Sequence, residues 1–258
     1  MKNLDLIKNK DWEKLYYFLL KAGSKNSLDN YIDIVMKEMD NIIPYYAANF
    51  FTYNQTTQGL NKLQSKNISQ KAIWEYENYY YAIDDIKEKT FNQKIPIKST
   101  EIMDYREWGK TEYFNDFLST NNLYYSCGVD IHYKNKLLGT IGLFREKTDP
   151  DYNKKDLHIL DVLKGQMANQ MFKLNTIEMM KKNTNKEVDK KLAKSEQVFN
   201  LTDREVELIN HLIDGKNNKQ LADELYISIN TVKKHLNNIF RKTEVNNRTE
   251  LTSLIYSL

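Results

Sequence analysis

The chain of 258 residues is long enough for one large domain or two ordinary ones, and its 18 Tyr, 10 Phe and 3 Trp can build a substantial core. Its 38 Lys and Arg nearly balance its 35 Asp and Glu, so the net charge alone indicates no particular partner. No apolar run reaches the roughly 18 residues of a membrane span, and the N-terminal stretch carries acidic residues where a secretory signal is apolar. The single cysteine, Cys127, excludes an intramolecular disulfide. We therefore expect a cytoplasmic protein without a membrane partner.

Composition divides the chain into two parts. Most aromatic residues lie before residue 181, and the stretch 181–194 (KKNTNKEVDKKLAK) has too few apolar side chains to bury a core. It is either a solvated linker or the exposed end of a helix. We expect an N-terminal domain over 1–180, a basic linker over 181–199 and a C-terminal domain over 200–258.

The first half of the N-terminal domain predicts two helices and a strand. Residues 28–43 carry apolar side chains at helical spacing after Ser27, a suitable N-cap. Residues 47–54 (AANFFTYN) are short and apolar, as in a strand, and residues 69–81 are typical of a helix that begins at Ser69.

The second half predicts a hairpin and a long helix. Residues 122–133 and 136–145 flank the short turn Lys134–Asn135, which favours two antiparallel strands. After Asp149–Pro150, a long helix is indicated by an apolar stripe: Leu157, Leu160, Leu163, Met167, Met171 and Leu174. Helices, a hairpin and a closing helix predict an α+β domain.

The C-terminal domain predicts a series of short helices. Thr202 and Glu205 form a capping box, and Gly215 stands where a helix C′ glycine belongs. Asn217 can begin a second helix and Ser228 can cap a third.

The third of these helices is amphipathic and basic. Its apolar face is expected to hold Ile229, Val232, Leu236, Ile239 and Phe240. No acid occurs from Ile229 to Lys242, and the opposite face and its flanks carry Asn230, Lys233, Lys234, Asn237, Asn238, Arg241 and Lys242. Lys neutralises phosphates or reaches guanine, and Asn can pair with adenine, so two short helices followed by this one predict a helix-turn-helix for double-stranded DNA.

Residues 201–258 resemble the LuxR-type (GerE-like) helix-turn-helix of bacterial transcription regulators. The matching stretches are LTDREVELI, the run from Gly215 to Ala222, and residues 227–251. One departure is Tyr226, at a turn position where the family often has glycine; tyrosine would be uncommon there if the backbone φ is positive.

The resemblance implies an all-α domain of four helices whose third helix enters the major groove. The positions that match base-reading residues are Lys233, Lys234 and Asn237. Those that match backbone-contacting residues are Thr231, His235, Asn238, Arg241 and Lys242. It implies a transcription regulator, with RNA polymerase as a further candidate partner.

The fourth helix carries an apolar stripe of Leu251, Leu254, Ile255 and Leu258. In the family this helix helps to pair two protomers, and a homodimer is expected on that ground. Spacing alone favours equally that the stripe packs against the first helix of its own domain.

The N-terminal domain resembles sensor domains in two places. Residues 121–175 are similar to the end of a GAF-type sensor, which suggests a GAF/PAS-like sheet flanked by helices. Residues 79–89 (YYYAIDDIKEK) are weakly similar to the ligand-site segment of acyl-homoserine-lactone receptors, where Asp84, with Tyr76 or Tyr80, matches an aspartate and a tyrosine. A lactone signal is not implied.

These similarities and the excess of Tyr and Trp predict a pocket for a small apolar or aromatic signal, between the sheet and residues 69–119. The candidate ligand contacts are Trp74, Tyr76, Tyr80, Asp84 and Trp108. Each has an alternative: the aromatics as core or rim side chains, and Asp84 as the cap of the next segment.

Two other functions are weighed against ligand sensing. The N-terminal domain could be a ligand-free module for protein docking or dimerisation, which an exposed apolar patch would favour. An enzyme is not expected, because the sequence has no nucleophile elbow, phosphate-binding glycine loop or metal-ligand spacing, and no cofactor or metal is predicted.

Overall fold

The computed structural model describes residues 7–54, 57, 59–90 and 94–258; residues 91–93 of the predicted pocket wall lie outside them. The chain divides into two compact units, Met1–Thr176 and Ile177–Leu258. Within the described residues, no helix is both long and apolar enough to cross a membrane.

A five-stranded antiparallel sheet forms the centre of the N-terminal unit. Its spatial order is β2-β1-β5-β4-β3, and the strands are β1 (Ala47–Tyr53), β2 (Leu60–Lys66), β3 (Ile97–Lys98), β4 (Tyr125–Tyr133) and β5 (Lys136–Arg145). The predicted hairpin is confirmed as β4–β5, and Lys134 in its turn has a φ of 56°.

Short helices surround the sheet. They are α1 (Asn9–Gly23), α2 (Leu28–Met39), α3 (Gln70–Asn78), α4 (Asp85–Thr90), α5 (Ser99–Ile102) and α6 (Tyr105–Trp108), with a 3-10 turn at Tyr80–Ala82 and a π-helical segment at Tyr113–Ser119. The Ser27 and Ser69 side chains accept hydrogen bonds from Asn30 N and Ala72 N, which confirms both predicted caps. Both helices are shorter than predicted and end at Met39 and Asn78.

The two faces of the sheet bury different cores because alternate side chains of a strand point to opposite faces. Val129 and Ile141 face one core, to which α1, α2 and the start of the long helix α7 (Lys154–Phe199) contribute. The other face meets a mainly aromatic core that contains Phe51 and Phe144. The α+β prediction is confirmed.

The C-terminal unit contains α8 (Asp203–Ile213), α9 (Asn218–Glu224), α10 (Ile229–Thr243) and α11 (Arg248–Ser257). Each helix start is closed by a side chain that accepts a hydrogen bond from the first-turn amides: Thr202, Asn217, Ser228 and Asn247. The predicted capping box of Thr202 and Glu205 is present. The four-helix prediction is confirmed.

The segment that the sequence assigned to a linker is helical. Helix α7 continues to Phe199, and its last part packs into the C-terminal core: Leu192 is 5% exposed, with Val188 and Phe199 partly buried beside it. Spacings of three and four residues place Val188, Leu192, Ser195 and Phe199 on one helical stripe, a pattern that the many lysines between them conceal. The C-terminal core therefore begins before residue 200.

Candidate nucleic-acid interface and N-terminal cavity

A cavity of about 90 Å³ lies on the aromatic side of the N-terminal sheet. Strands β1, β4 and β5 form one wall, and residues of α3, α4 and the π-helical segment contribute to the rest. Its volume exceeds several-fold the roughly 10–15 Å³ that one water needs. The cavity therefore has room for a small molecule.

Two glycines leave the centre of the sheet wall without side chains. Gly128 and Gly142 are opposite each other on β4 and β5, and Asn49 on β1 is opposite Gly142. An added Cβ at Gly142 would lie 2.3 Å from Asn49 Oδ1, so glycine is required there for the asparagine side chain to lie across β5. Asn49 Oδ1 is buried and has no hydrogen-bond partner within the described residues.

Beside the glycines, the same wall carries polar side chains that are linked by hydrogen bonds. Thr140 Oγ1 donates to Asp130 Oδ1 over 2.6 Å. Because the threonine proton is used in that bond, the Tyr53 hydroxyl donates to Thr140 Oγ1 over 3.2 Å. Asp130 is only 7% exposed.

A second buried carboxylate, Asp84, closes the opposite side. Its Oδ2 accepts hydrogen bonds from the hydroxyls of Tyr76 (2.6 Å) and Tyr113 (3.2 Å), and its Oδ1 accepts from the amides of Ile86 and Lys87 (both 2.9 Å). Burial raises the pKa of Asp84, and the Tyr76, Lys87 and Tyr113 donors oppose that rise only in part. The carboxylate thus both caps the start of α4 and orients two tyrosine hydroxyls.

The five predicted ligand contacts fall in different places. Tyr76 and Asp84 line the cavity. Trp74 is 65% exposed, and Trp108 is 1% exposed and packs against Tyr105 and Phe114. Tyr80 packs on Phe117, with ring centroids 4.8 Å apart, outside the cavity lining that the structure describes. Sequence analysis missed Asn49 and Asp130, because only the strand register brings them to this wall.

In the C-terminal unit, α10 presents a basic face to solvent. Lys233, Lys234, Asn237 and Arg241 are exposed, whereas Val232, Leu236 and Ile239 are buried. Ile229 was predicted to face inward but is 43% exposed, because it lies in the first turn of the helix, at the edge of the core. Among the described residues, none makes a hydrogen bond or ion pair with the side chains of Lys233, Lys234, Asn237 or Arg241.

The turn before α10 has a positive backbone φ at Tyr226, as expected for a position where the family often has glycine. Tyr226 has a φ of 53°, in the left-handed region, and its side chain is 94% exposed. A tyrosine there gains no burial to offset the backbone cost of about 1–2 kcal/mol.

These elements match a known family. Residues 199–255 match the family described as "Bacterial regulatory proteins, luxR family". The chain ends in a LuxR-family helix-turn-helix domain. It is accordingly a DNA-binding transcription regulator.

The chain also has a relative that matches along nearly its whole length. It is the "Monoamine regulon transcriptional regulator" of Klebsiella aerogenes, 28% identical over 91% of this chain and 93% of the relative. Among solved structures, Escherichia coli SdiA is similar at a TM-score of 0.46 and 15% identity, covering 95% of this chain and 98% of SdiA. A GAF domain from an Acinetobacter phosphoenolpyruvate-protein phosphotransferase is similar at 0.45 and 11% identity, covering 67% and 99%.

Within the LuxR-type domain, Lys242 differs from its predicted environment. Its ammonium donates to Glu205 Oε2 over 2.7 Å and to the Asn200 carbonyl over 2.8 Å, so it ties α10 to the start of α8. Burial alone would raise the pKa of Glu205, but hydrogen bonds from Lys242 and the Thr202 amide outweigh it and hold that pKa below its ordinary value. Lys242, which was expected to contact a DNA phosphate, is therefore held by groups of its own domain.

The predicted dimerisation stripe is used largely within the chain. Leu251 and Ile255 are 0% and 1% exposed and belong to the core of the LuxR-type domain. Leu254 and Leu258 are half-buried. Packing within the domain, the alternative that the spacing left open, accounts for Leu251 and Ile255, which are not accessible to a second protomer.

Proposed function

We propose that this chain is a transcription regulator that reads double-stranded DNA through α10 and responds to a small apolar or aromatic signal in the N-terminal cavity. The observation that carries the DNA-binding part is the face of α10, whose exposed cations and amides have no partner inside the described chain. Long side chains without internal partners are free to contact phosphates and base edges.

The polar face divides between two kinds of contact. Lys233, Lys234 and Asn237 lie in the part of the helix that reaches base edges in helix-turn-helix proteins, so we assign sequence reading to them. Four further side chains are assigned to the DNA backbone: Thr231, His235, Asn238 and Arg241. Lys242, held by Glu205, is assigned to the stability of the domain.

The test begins with selection of a preferred duplex from a random library by the full chain. Replacing Lys233, Lys234 or Asn237 with Ala should cost about 1–3 kcal/mol on the selected duplex and relax the preference at one base pair. Lys173→Ala, an exposed lysine of the N-terminal unit, is the matched control and should leave binding unchanged. If all three α10 variants remain folded and keep full discrimination, this face does not read bases.

The signal-sensing part rests on the cavity, its aromatic lining and its buried polar groups. The relative's name, a regulator of a monoamine regulon, agrees with a small-molecule response. Native mass spectrometry of the chain purified from its own host should reveal a retained small molecule, which the variant Gly142→Leu, with its filled cavity, should not retain. Wild-type protein without any bound molecule, even after incubation with small aromatic compounds, would count against sensing.

A second function, docking or dimerisation, is favoured by an exposed apolar face on α1. Its members are Trp12, Tyr16, Tyr17, Leu19 and Leu20, each at least 40% exposed. A patch of this kind on a soluble chain typically marks a protein interface, and we assign it to a second copy of the chain. Sedimentation of wild type against Leu20→Glu at micromolar concentration tests this, since a wild-type monomer with and without DNA would refute a homodimer.

A further inference from the structure

We infer that Tyr226, in the turn before α10, donates its side-chain hydroxyl to a phosphate of the DNA backbone. This inference rests on the proposed reading of DNA by α10 and adds a contact that positions the helix. Three observations carry it: the backbone conformation of Tyr226, the exposure of its ring, and its closeness to the base-reading half of α10.

The backbone at Tyr226 adopts a conformation that suits glycine better than tyrosine. Its φ of 53° lies in the left-handed region, where a Cβ is disfavoured. Of the other residues with positive φ that the structure describes, three are asparagines, whose short polar side chains make this region tolerable. Tyr226 has no such side chain, and its hydroxyl makes no hydrogen bond with any described residue.

The ring of Tyr226 gains nothing from the fold in return. It is 94% exposed, more than any other large apolar side chain that the structure describes. Lys134 and Glu244 also have positive φ, but their charged side chains are well solvated by water. A strained residue that has neither burial nor a hydrogen bond is typical of a functional site.

The turn that carries Tyr226 is held by hydrogen bonds on both sides. The Ile227 amide donates to the Ala222 carbonyl over 3.0 Å. The Arg204 guanidinium, at the start of α8, donates to the Leu225 carbonyl. The direction in which the tyrosine leaves the backbone is therefore fixed before DNA binds, so a contact made by its side chain costs little ordering of the chain.

The turn also lies close to the part of α10 that is assigned to the bases. Tyr226 stands two positions before Ser228, the N-cap of α10, and two residues span at most about 7 Å. The N-terminal part of a recognition helix enters the major groove, which is only about 12 Å wide and is bordered by phosphates. A long side chain that leaves the chain this near to the helix start reaches one of those borders.

A phosphate oxygen suits this side chain chemically. A tyrosine hydroxyl donates one hydrogen bond, and tyrosine is among the residues that contact the phosphates and sugars of DNA. A protein surface is the alternative partner, because Asp223 is exposed in the preceding helical turn. The place of Tyr226 beside the base-reading half of α10 favours DNA.

The experiment measures binding of the full chain to its selected duplex and to a scrambled one. Tyr226→Phe removes only the hydroxyl and should weaken binding to both duplexes about tenfold, the ratio that corresponds to one hydrogen bond to a charged group. The preference between the duplexes should not change, because a phosphate contact carries no sequence information. The salt slope should also be kept, because an uncharged donor releases no counterion. Tyr256→Phe, at an exposed tyrosine of α11, is the matched control and should bind like wild type.

A second variant separates DNA contact from stability. Tyr226→Gly relieves the backbone strain, so it should melt no lower than wild type while binding both duplexes at least as weakly as Tyr226→Phe. Weaker binding together with a lower melting temperature in both variants would give Tyr226 a structural role and overturn the phosphate contact.

The remaining outcomes separate this inference from the proposed function. If Tyr226→Phe binds both duplexes within about twofold of wild type, less than one hydrogen bond to a charged group provides, then Tyr226 does not contact phosphate and its ring is left for a protein partner. If the preference between duplexes falls instead, Tyr226 contacts a base and the phosphate assignment is wrong. In both cases Lys233→Ala still tests base reading by α10, and the proposed function stands. If the full chain selects no duplex, both proposals are overturned.

Discussion

Neutralising Lys242 should destabilise the LuxR-type domain and leave its salt-dependent contacts with DNA nearly unchanged. The sequence assigned Lys242 and Arg241 the same role, because neighbouring cations on a basic helix look alike. In the structure only Arg241 is free of internal partners among the described residues, whereas Lys242 contacts Glu205 and the Asn200 carbonyl. The variants Lys242→Met and Arg241→Ala therefore separate stability from DNA contact.

The magnitude follows from the burial of the pair. The Glu205 side chain is 5% exposed and that of Lys242 is 28% exposed, so the ion pair is partly shielded from solvent. Losing a charged hydrogen bond in such a place and leaving the carboxylate without its cation costs about 2 kcal/mol. For a unit of this size, that corresponds to a melting temperature lower by roughly 8–16 °C.

The assay measures two quantities for each variant of the full chain. Thermal unfolding gives the stability, and duplex binding between 50 and 200 mM salt, on the order of the range where phosphate contacts are sensitive, gives the salt slope. Lys242→Met should lower the melting temperature and keep the slope, while Arg241→Ala should keep the melting temperature and reduce the slope by about one. A double-mutant cycle with Glu205→Gln should show a coupling of at least about 1 kcal/mol.

The reverse pattern would refute this reasoning. If Lys242→Met melts with the wild type and loses a unit of salt slope, then the pair with Glu205 does not persist in solution and Lys242 contacts phosphate, as the family resemblance alone implied.

Three further outcomes are expected. Leu236→Asp places a charge in the core and should unfold the LuxR-type domain, seen as loss of helical circular dichroism along with DNA binding; a folded variant would show that Leu236 is not a core residue. The pKa of Glu205 lies below its ordinary 4.5 in the folded chain, so its contribution to stability is complete above that pH and is lost as pH falls through the lower, folded value. In melts at successively lower pH below 4.5, wild type should therefore lose its advantage over Glu205→Gln. Tyr226→Gly should stabilise the domain by about 0.5–1 kcal/mol in urea unfolding, because glycine removes the left-handed strain and returns part of the gain as unfolded-state entropy; a destabilised variant would show that Tyr226 makes contacts that offset the strain.

Local signals in the sequence predicted local structure well. The caps at Ser27, Ser69, Thr202 and Ser228 need only side chains within three residues of one another, and each is present. The left-handed φ at Tyr226 was also suggested by the sequence, because it depends on a single turn position where the family often has glycine.

Features that depend on distant residues were not predictable in this way. Strand β2 reads LNKLQSK, a polar stretch that becomes a strand by pairing with β1 at an edge of the sheet. The Lys242–Glu205 contact joins positions 37 apart in the chain. Asn49 and Asp130 meet at one wall only because β1 and β4 both pair with β5. In each case strand register or tertiary packing determines the feature, and neither can be predicted from a local sequence pattern.

The uneven placement of charge on the LuxR-type domain gives it an orientation in the field of DNA. Residues 200–258 hold equal numbers of acidic and basic side chains, yet α10 has no acid from Ile229 to Lys242. Beyond the Debye length of about 8 Å at physiological ionic strength, such a domain exerts little net attraction. Closer in, the acid-free face of α10 attracts a duplex more strongly than the rest of the domain does. Under the proposed function, encounters through that face should therefore last longer than encounters in other orientations.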